Sequence, residues 1–309
     1  MAGCLPLLVG ASLQIEKLRL YLEKVAASDA SVLITGETGT GKERVAHYLH
    51  QRGHRASKPM ACINCSALPD GLLESELFGH ERGAFTGAYR TFVGRLRQAS
   101  GGTLFLDEIG DMSPYAQAKI LRAIEDQEVV PVGGQRSERF DVRIIAATNV
   151  DPETLVNGSK LRRDLYYRLN VVQIHLPPLR DRKEDIVSLY DHFMRMRLPK
   201  DEALPKLNSE ALALMLQYNW PGNVREVRNF VDRLLVDLPP TEIGVDDLPR
   251  EMAGAPADSV GREKERLLAA LLATHWNKSK AAEALHWSRM TLYRKLARYN
   301  IRSKAPSPP

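Results

Sequence analysis

The 309 residues hold only three cysteines, Cys4, Cys62 and Cys65, too few for a disulfide framework. Cys62 and Cys65 form a C-x-x-C, a spacing used in redox and metal sites. A structural zinc ion needs a full tetrahedral ligand set, and no second pair exists. The preferred reading is two small apolar residues on one strand, within 60–65. Long apolar runs are also missing: none approaches the roughly 18 residues needed to span a membrane. The opening ten residues carry no basic side chain ahead of their short apolar stretch, which makes a poor signal peptide. A cytoplasmic protein is expected. There is no internal repeat.

What is present is ordinary in amount and uneven in placement. Hydrophobic content of 44% and charged content of 26% suit a globular chain of two or three domains. The net charge is +5, but residues 261–309 hold 11 Lys and Arg against 3 Asp and Glu, a balance of +8 that leaves −3 for the first 260 residues. A mildly acidic body with a compact basic end points to a nucleic-acid module at the C-terminus.

Hydrophobic patterning alternates between two periods. An amphipathic helix is expected over 13–26, with Leu18, Leu22 and Val25 on one face. Apolar strands are expected at 31–35, 60–64, 103–107, 142–148 and 171–176, with helices near 41–51, 70–77 and 113–125 between them. Strands and helices alternating at these lengths imply an α/β fold, a parallel sheet with helices on both faces. After Pro177 and Pro178 the strands stop, and helices follow at 183–196, 209–218 and 223–236. The expected organisation is an α/β domain over 8–178, a small α-helical subdomain over 179–238, a Pro- and Gly-containing linker over 239–260, an all-α unit over 261–302 and a disordered tail over 303–309.

Gly36, Glu37, Thr38, Gly39, Thr40, Gly41 and Lys42 match G-x-x-x-x-G-K, between a strand and a helix as that motif requires. Glycine allows backbone N–H groups to close around phosphates, and the helix N-terminus adds its positive dipole end. Lys42 would reach the β and γ phosphates of ATP. The usual Ser/Thr after the lysine is Glu43 here, so the standard magnesium hydroxyl is missing. Thr40 or the acids of the next motif could take its place. That motif is the apolar strand 103–107, which ends in Asp107 and Glu108. Parallel sheets carry their active sites at the carboxyl ends of strands. Asp107 would ligate Mg2+ and Glu108 would polarise the attacking water.

The hexapeptide Gly83, Ala84, Phe85, Thr86, Gly87, Ala88, preceded by Glu76 to Glu81, is similar to the signature of sigma-54-dependent transcriptional activators, which are bacterial enhancer-binding proteins of the AAA+ class. From the residues alone it is a flexible loop tip with an apolar anchor. The resemblance covers about 8–238 and resumes at the C-terminus. It implies that loop 83–88 contacts sigma-54 and moves as nucleotide is hydrolysed, and that Glu after the P-loop lysine is normal. By the same resemblance, Asn64 restrains the catalytic Glu108, while Thr148 and Asn149 form sensor I. Arg162 and Arg168 are arginine fingers supplied to a neighbouring subunit, Arg163 being a plain surface residue. Arg225, in the segment from Trp220 to Glu226, is the sensor II arginine, and the backbone at 8–12 meets adenine. Fingers acting in trans require subunit contacts and hence a ring, taken as a hexamer.

In the basic end, 278–285 reads as a short helix with Ala281, Ala282 and Leu285 inward. A turn at 286–288 lets Ser288 cap a second helix, 289–299, with Leu292 and Leu296 inward. This is a helix-turn-helix, and it resembles the Fis-type domain that ends the same family. Lys278, Lys280, Arg294, Lys295 and Arg298 would meet DNA phosphates, and Arg289, Met290 and Thr291 the base edges. A helix over about 262–274 would supply a dimer face. Family members often begin with a receiver or sensing domain. The chain opens almost at the ATPase, so control is expected from a partner protein or from expression level.

The preferred reading is an ATP-driven activator that binds upstream DNA as dimers, forms a ring and opens promoters held closed by sigma-54 RNA polymerase. One alternative is a non-catalytic DNA-binding regulator with a degenerate ATPase domain, which predicts lost catalytic residues, yet Lys42, Asp107, Glu108 and Arg168 are present. Another is an AAA+ remodeller of some other protein, which would need neither 83–88 nor a helix-turn-helix.

Overall fold

A computed structural model describes residues 8–199, 204–236, 242–252 and, further on, 267, 270, 271, 274, 276, 278–285, 292 and 296. They fall into two compact units, one within Met1–Lys206 and Met215–Glu242, the other within Leu207–Leu214 and Ile243–Pro309.

The first unit is built on five parallel strands: β1 (Val32–Thr35), β2 (Met60–Asn64), β3 (Thr103–Asp107), β4 (Arg143–Thr148) and β5 (Val172–His175), ordered β2-β3-β4-β1-β5. Every residue of β1 and β4 is buried, as near-continuous apolar runs in a sheet covered on both sides should be. Alternation assigns the two faces. Leu33, Leu104, Leu106, Ile144 and Ala146 enter one core with Leu73 and Leu77 of α3 (Asp70–Phe78), Ile120 of α4 (Pro114–Asp126) and Leu165 of α5 (Arg163–Leu169). Val32, Ile34, Phe105, Ile145 and Ala147 enter the other, with Ile15, Leu22 and Val25 of α1 (Leu13–Ala26) and Val45 and Leu49 of α2 (Lys42–Arg52). The strands and helices expected over 13–236 form within a residue or two of their places. Leu18 is partly buried, and Ile15 takes the fully buried place on that face.

Helix α6 (Asp185–Arg197) packs on α8 (Asn223–Leu234), which comes after α7 (Ser209–Gln217). Val227, Phe230, Val231 and Leu234 recur at helical spacing on the buried side of α8, and Trp220 is fully buried against Phe230 at 6.0 Å between ring centres. The Trp220 indole N–H donates to the Met215 carbonyl at 2.9 Å, so its one polar atom is satisfied.

In the second unit the stretch 243–252, expected as linker, is folded. Ile243, Leu248 and Met252 are buried, and Asn208 N–H donates to the Ile243 carbonyl at 3.0 Å. Three well-spaced apolar residues outweigh the prolines there. Further on, Leu267, Leu271, Ala281, Ala282, Leu292 and Leu296 form one cluster, with Leu285 partly buried against it. Helix α9 (Lys278–Ala284) carries Ala281 and Ala282 inward as the periodicity requires. The expected turn at 286–288, the tail, and most of the expected dimer-face helix 262–274 and second helix 289–299 lie outside the described residues. No helix among the described residues is long and apolar enough to cross a membrane.

One buried charge was not legible in the sequence. Arg143, the first residue of β4, is only 3% exposed. Its guanidinium donates to the carbonyls of Val25 (2.8 Å), Ala26 (3.3 Å), Ala30 and Leu49 (both 3.4 Å). It therefore satisfies carbonyls at the C-terminal ends of α1 and α2, where a cation also suits the helix dipoles. Arg143→Met should destabilise the first unit by about 2–4 kcal/mol through orphaned buried carbonyls. The measurement is the urea midpoint, expected to fall at unchanged m.

Candidate functional site

The P-loop joins β1 to α2 and depends on glycine at three positive φ values, Gly36 (+149°), Gly39 (+82°) and Gly41 (+109°). At Gly39 even the space is denied to a side chain, since a Cβ would sit 2.2 Å from the Gly222 carbonyl oxygen. Lys42 is 7% exposed, and its ammonium donates to the Gly36 carbonyl at 2.9 Å and lies 3.5 Å from Glu108 Oε1. Thr40 is buried and its hydroxyl donates to the Glu37 carbonyl at 2.7 Å. Glu43 is exposed and lies 3.8 Å from His47.

The acidic pair sits at the carboxyl end of β3. Burial, and next the neighbouring Glu108, hold the Asp107 carboxyl above its ordinary range, with Lys42 pulling the other way. Glu108 adopts a left-handed backbone (φ 51°), which turns its side chain away from the strand and toward Lys42. Its Oε2 accepts from the Asn149 N–H at 2.9 Å, and Asn149 Nδ2 donates to Thr38 Oγ1 at 3.2 Å. Thr148 is buried with its hydroxyl engaged by Val150, so of the expected sensor pair Asn149 alone reaches the P-loop.

Asn64 stands at the end of β2 beside the acidic pair. Its Nδ2 donates to Asp107 Oδ2 at 3.3 Å, and Glu108 is held by Asn149 instead. Strand register is the cause: Asn64 of β2 lies opposite Asp107 of β3, whereas Glu108 is one residue beyond the strand and turned aside. Asn64 Oδ1 accepts from Ser66 N–H and Ser66 Oγ.

The helical segment ties itself to the P-loop through residues that sequence reasoning passed over. Arg180 makes a two-pronged pair with Glu37 at 2.6 and 2.8 Å, and this hydrogen-bonded guanidinium lowers the Glu37 carboxyl. Asn223, fully buried, donates to the Thr38 carbonyl (3.0 Å) and Glu37 Oε2 (3.2 Å) and accepts from Leu179 N–H (2.7 Å). Arg225 N–H donates to the Gly39 carbonyl at 3.2 Å, with its side chain exposed. Asp185, also fully buried, accepts from Ala11 N–H (2.7 Å), Ser12 N–H (2.8 Å) and Ser12 Oγ (2.8 Å), which fixes the turn before α1. A cleft of about 180 Å³ opens among Thr38, Lys42, Glu43, Asp107, Glu108 and Arg225. Beside it, Leu8, Val9, Leu189, His192 and Phe193 line a smaller, more apolar recess.

Other expected residues stand apart from this cleft. Arg162 and Arg168 are exposed, neither lines it, and Arg162 pairs with Asp164 at 2.7 Å. Gly83 to Ala88 form a turn closed by Gly83 N–H to the Ala88 carbonyl at 2.8 Å, with Thr86 exposed and Ala88 buried. Phe85 is 40% exposed, and its ring meets His80 edge-on at 5.0 Å. Cys62 lies on β2 and is exposed, while Cys65 is buried one residue past the strand; both are free thiols. Burial raises both, Cys65 to about 12. Lys278 and Lys280 lie on α9. Ser288, Arg289, Met290, Thr291, Arg294, Lys295 and Arg298 lie outside the described residues.

Comparison with known proteins agrees with this architecture. The family described as Sigma-54 interaction domain matches residues 8–175, the AAA+ ATPase lid domain matches 180–265, and the Fis family of bacterial regulatory proteins matches 262–299. The chain is 46% identical over 301 residues to the transcriptional regulatory protein ZraR of Salmonella typhimurium, covering 94% of this chain and 68% of that one. It is 41% identical over 337 residues to the DNA-binding transcriptional regulator NtrC of Rhizobium meliloti, covering 95% and 70%. Among solved structures, NtrX of Brucella abortus in complex with ATP superposes with a TM-score of 0.74 at 37% identity, covering 95% of this chain and 69% of that one. Its complex with ADP gives 0.75 at 36% identity over the same shares. With the P-loop, the acidic strand end, the lid and the Fis-type end all matched in order, the chain belongs to the sigma-54-dependent transcriptional activators, as an ATP-binding AAA+ ATPase with a Fis-type DNA-binding region.

Proposed function

We propose that the cleft is an ATP hydrolysis site whose product is mechanical work on sigma-54 RNA polymerase, delivered through loop 83–88. The observation that carries this reading is the meeting of Lys42, Glu108, Asn149 and Thr38 within hydrogen-bonding or ion-pair distance at one edge of the sheet. In this reading Lys42 leaves the Gly36 carbonyl and Glu108 for the β and γ phosphates. Glu108, freed from Lys42, orients water for in-line attack, and Asn149 bridges it to the γ-phosphate end of the P-loop through Thr38. Asn64, which bonds to Asp107 beside it, restrains Glu108 and couples it to the bound nucleotide.

The residues suit a magnesium ion. Asp107 and Glu108 crowd negative charge in a half-buried place that already raises Asp107, and a cation relieves that crowding. Mg2+ bound with ATP neutralises phosphate charge. Asp107 is the ligand proposed, with Glu43 close enough to add to its field.

Arg225 reaches the phosphates from the lid, and the apolar recess of Leu8, Val9 and Phe193 takes adenine. Exposed Arg162 and Arg168 complete the site of a neighbouring subunit, which makes a ring, read as a hexamer, the active form. The chain is divided as an ATPase subdomain at 8–178, a lid at 179–238 and a helix-turn-helix at 261–302. DNA upstream of promoters is bound by Lys278, Lys280, Ser288, Arg289, Met290, Thr291, Arg294, Lys295 and Arg298, through phosphate and base-edge contacts. The place of action is the cytoplasm.

Three outcomes test the proposal. Glu108→Gln should retain ATP binding while its turnover falls about 10²–10⁴-fold, measured by single-turnover hydrolysis beside equilibrium binding; unchanged turnover would remove Glu108 from the chemistry. Thr86→Ala should keep its ATPase rate and lose open-complex formation at a sigma-54 promoter. If wild type and variant both hydrolyse ATP and neither opens such a promoter, the motor acts on something else. Arg294→Ala should weaken DNA binding, with a log K against log [salt] slope shallower by about one.

A further inference from the structure

Three contacts from three segments meet on the imidazole of His80. Nδ1 shares a 2.6 Å hydrogen bond with Ser75 Oγ, a hydroxyl buried on α3. One ring face stacks on Phe92, 5.7 Å between centres with planes 25° apart. The ring also meets Phe85 edge-on, at 5.0 Å and 64°. The backbone of His80 is held on both sides as well, pairing with Phe92 in a short antiparallel ladder and bridging to Val132. Flanking bonds run from Val132 N–H to the Gly79 carbonyl (2.9 Å) and from Glu81 N–H to the Val132 carbonyl (3.0 Å).

His80 therefore stands where loop 83–88 leaves the folded body. The fixed backbone leaves its ring few rotamers, and the Ser75 bond selects the one that keeps the ring under Phe85. Without that bond the ring would still stack on Phe92 but could turn about its side-chain torsions. We infer that His80 is a positioning residue, an aromatic latch that fixes Phe85 to α3 and so sets the docked position of the sigma-54-contacting loop. This rests on the assignment of 83–88 to sigma-54 contact, although the latch itself is a property of this chain alone. Ser75 orients the latch, Phe92 backs it, and Phe85 is what it holds. When α3 shifts, the ring carries or releases Phe85, and the exposed Thr86 moves with it.

The test uses the full chain and reads the loop directly. Hydrogen exchange of the segment 81–91, without nucleotide, should rise roughly 2- to 10-fold in His80→Ala, the range an edge-to-face aromatic contact of ordinary strength supports. ATPase rate and exchange in the sheet should stay at wild-type levels, while open-complex formation falls. His80→Phe keeps the ring contacts and should return loop exchange toward wild type. Ser75→Ala keeps the ring but frees its rotation and should give an intermediate rise. The inference is overturned if loop exchange is unchanged in His80→Ala, if His80→Phe is no better than His80→Ala, or if exchange rises throughout the first unit with loss of ATPase, the mark of general destabilisation. The exchange measurement needs no polymerase, so its failure is separate from a failure of Thr86→Ala to lose promoter opening.

Discussion

All five strands of the sheet run the same way, and the geometry of the site follows from that constraint. Parallel strands must be joined by crossovers on the sheet faces, so the loops after their carboxyl ends gather along one edge. Strand order then decides which loops touch. β1 lies between β4 and β5, and the register that sets Thr35 opposite Thr148 brings the P-loop beside Asn149. β3 is the next strand out, so Glu108 arrives from the far side and meets Lys42 across β4. None of these residues needs a specific attraction to find the others. Once the sheet is paired, the remaining adjustments are short: a left-handed turn at Glu108, three glycines in the P-loop and one amide bond from Asn149.

A second constraint acts on the opposite wall of the P-loop. Gly39 approaches the Gly222 carbonyl so closely that no side chain fits, and Asn223 and Arg180 fill the hydrogen-bonding needs on either side. Buried Asn223 uses its amide on both ends, accepting from Leu179 and donating to Thr38, so it cannot leave without orphaning polar groups. The lid is thus fastened to the phosphate loop itself. Under the proposed function, a change in the P-loop on nucleotide binding reaches α8 through the Asn223 amide and the Arg225 N–H, besides any contact made by the Arg225 side chain.

What could be read in the sequence was what depends on local spacing. The P-loop glycines, the apolar strand ending in two acids and the 83–88 turn each impose backbone conformation over a few residues, and all appear where expected. What could not be read depends on partners far away in the chain. Asn223 bonds to Thr38 across 185 positions, Asp185 to Ser12 across 173, and Arg143 to Val25 across 118. In a linear reading each is an unremarkable polar residue on a helix or strand. Asn64 is the instructive middle case. Its place at a strand end was legible, but whether it faces Asp107 or Glu108 turns on a one-residue register that only the paired strands reveal. Similarly, the buried Ile243, Leu248 and Met252 were overlooked because neighbouring prolines and glycines read as linker.

The site and the loop are joined by a short, stiff piece of chain. Asn64 is bonded to Asp107 and to Ser66. Soon after comes α3, a nine-residue helix, roughly 13 Å long at helical rise. The helix ends at Gly79, whose positive φ turns the chain directly into His80. Buried Leu73 and Leu77 seat this helix on the same face of the sheet as Leu104 and Leu106 of β3. Under the proposed function, such a rigid element, with His80 and Phe85 beyond its far end, offers a route for displacement that does not require the core to deform. Close packing favours that route, because a helix can tilt or slide between discrete seatings while the sheet below it stays fixed. Glu108 and Thr86 thus stand on separate parts of the fold, the first at the sheet edge and the second on the loop beyond α3.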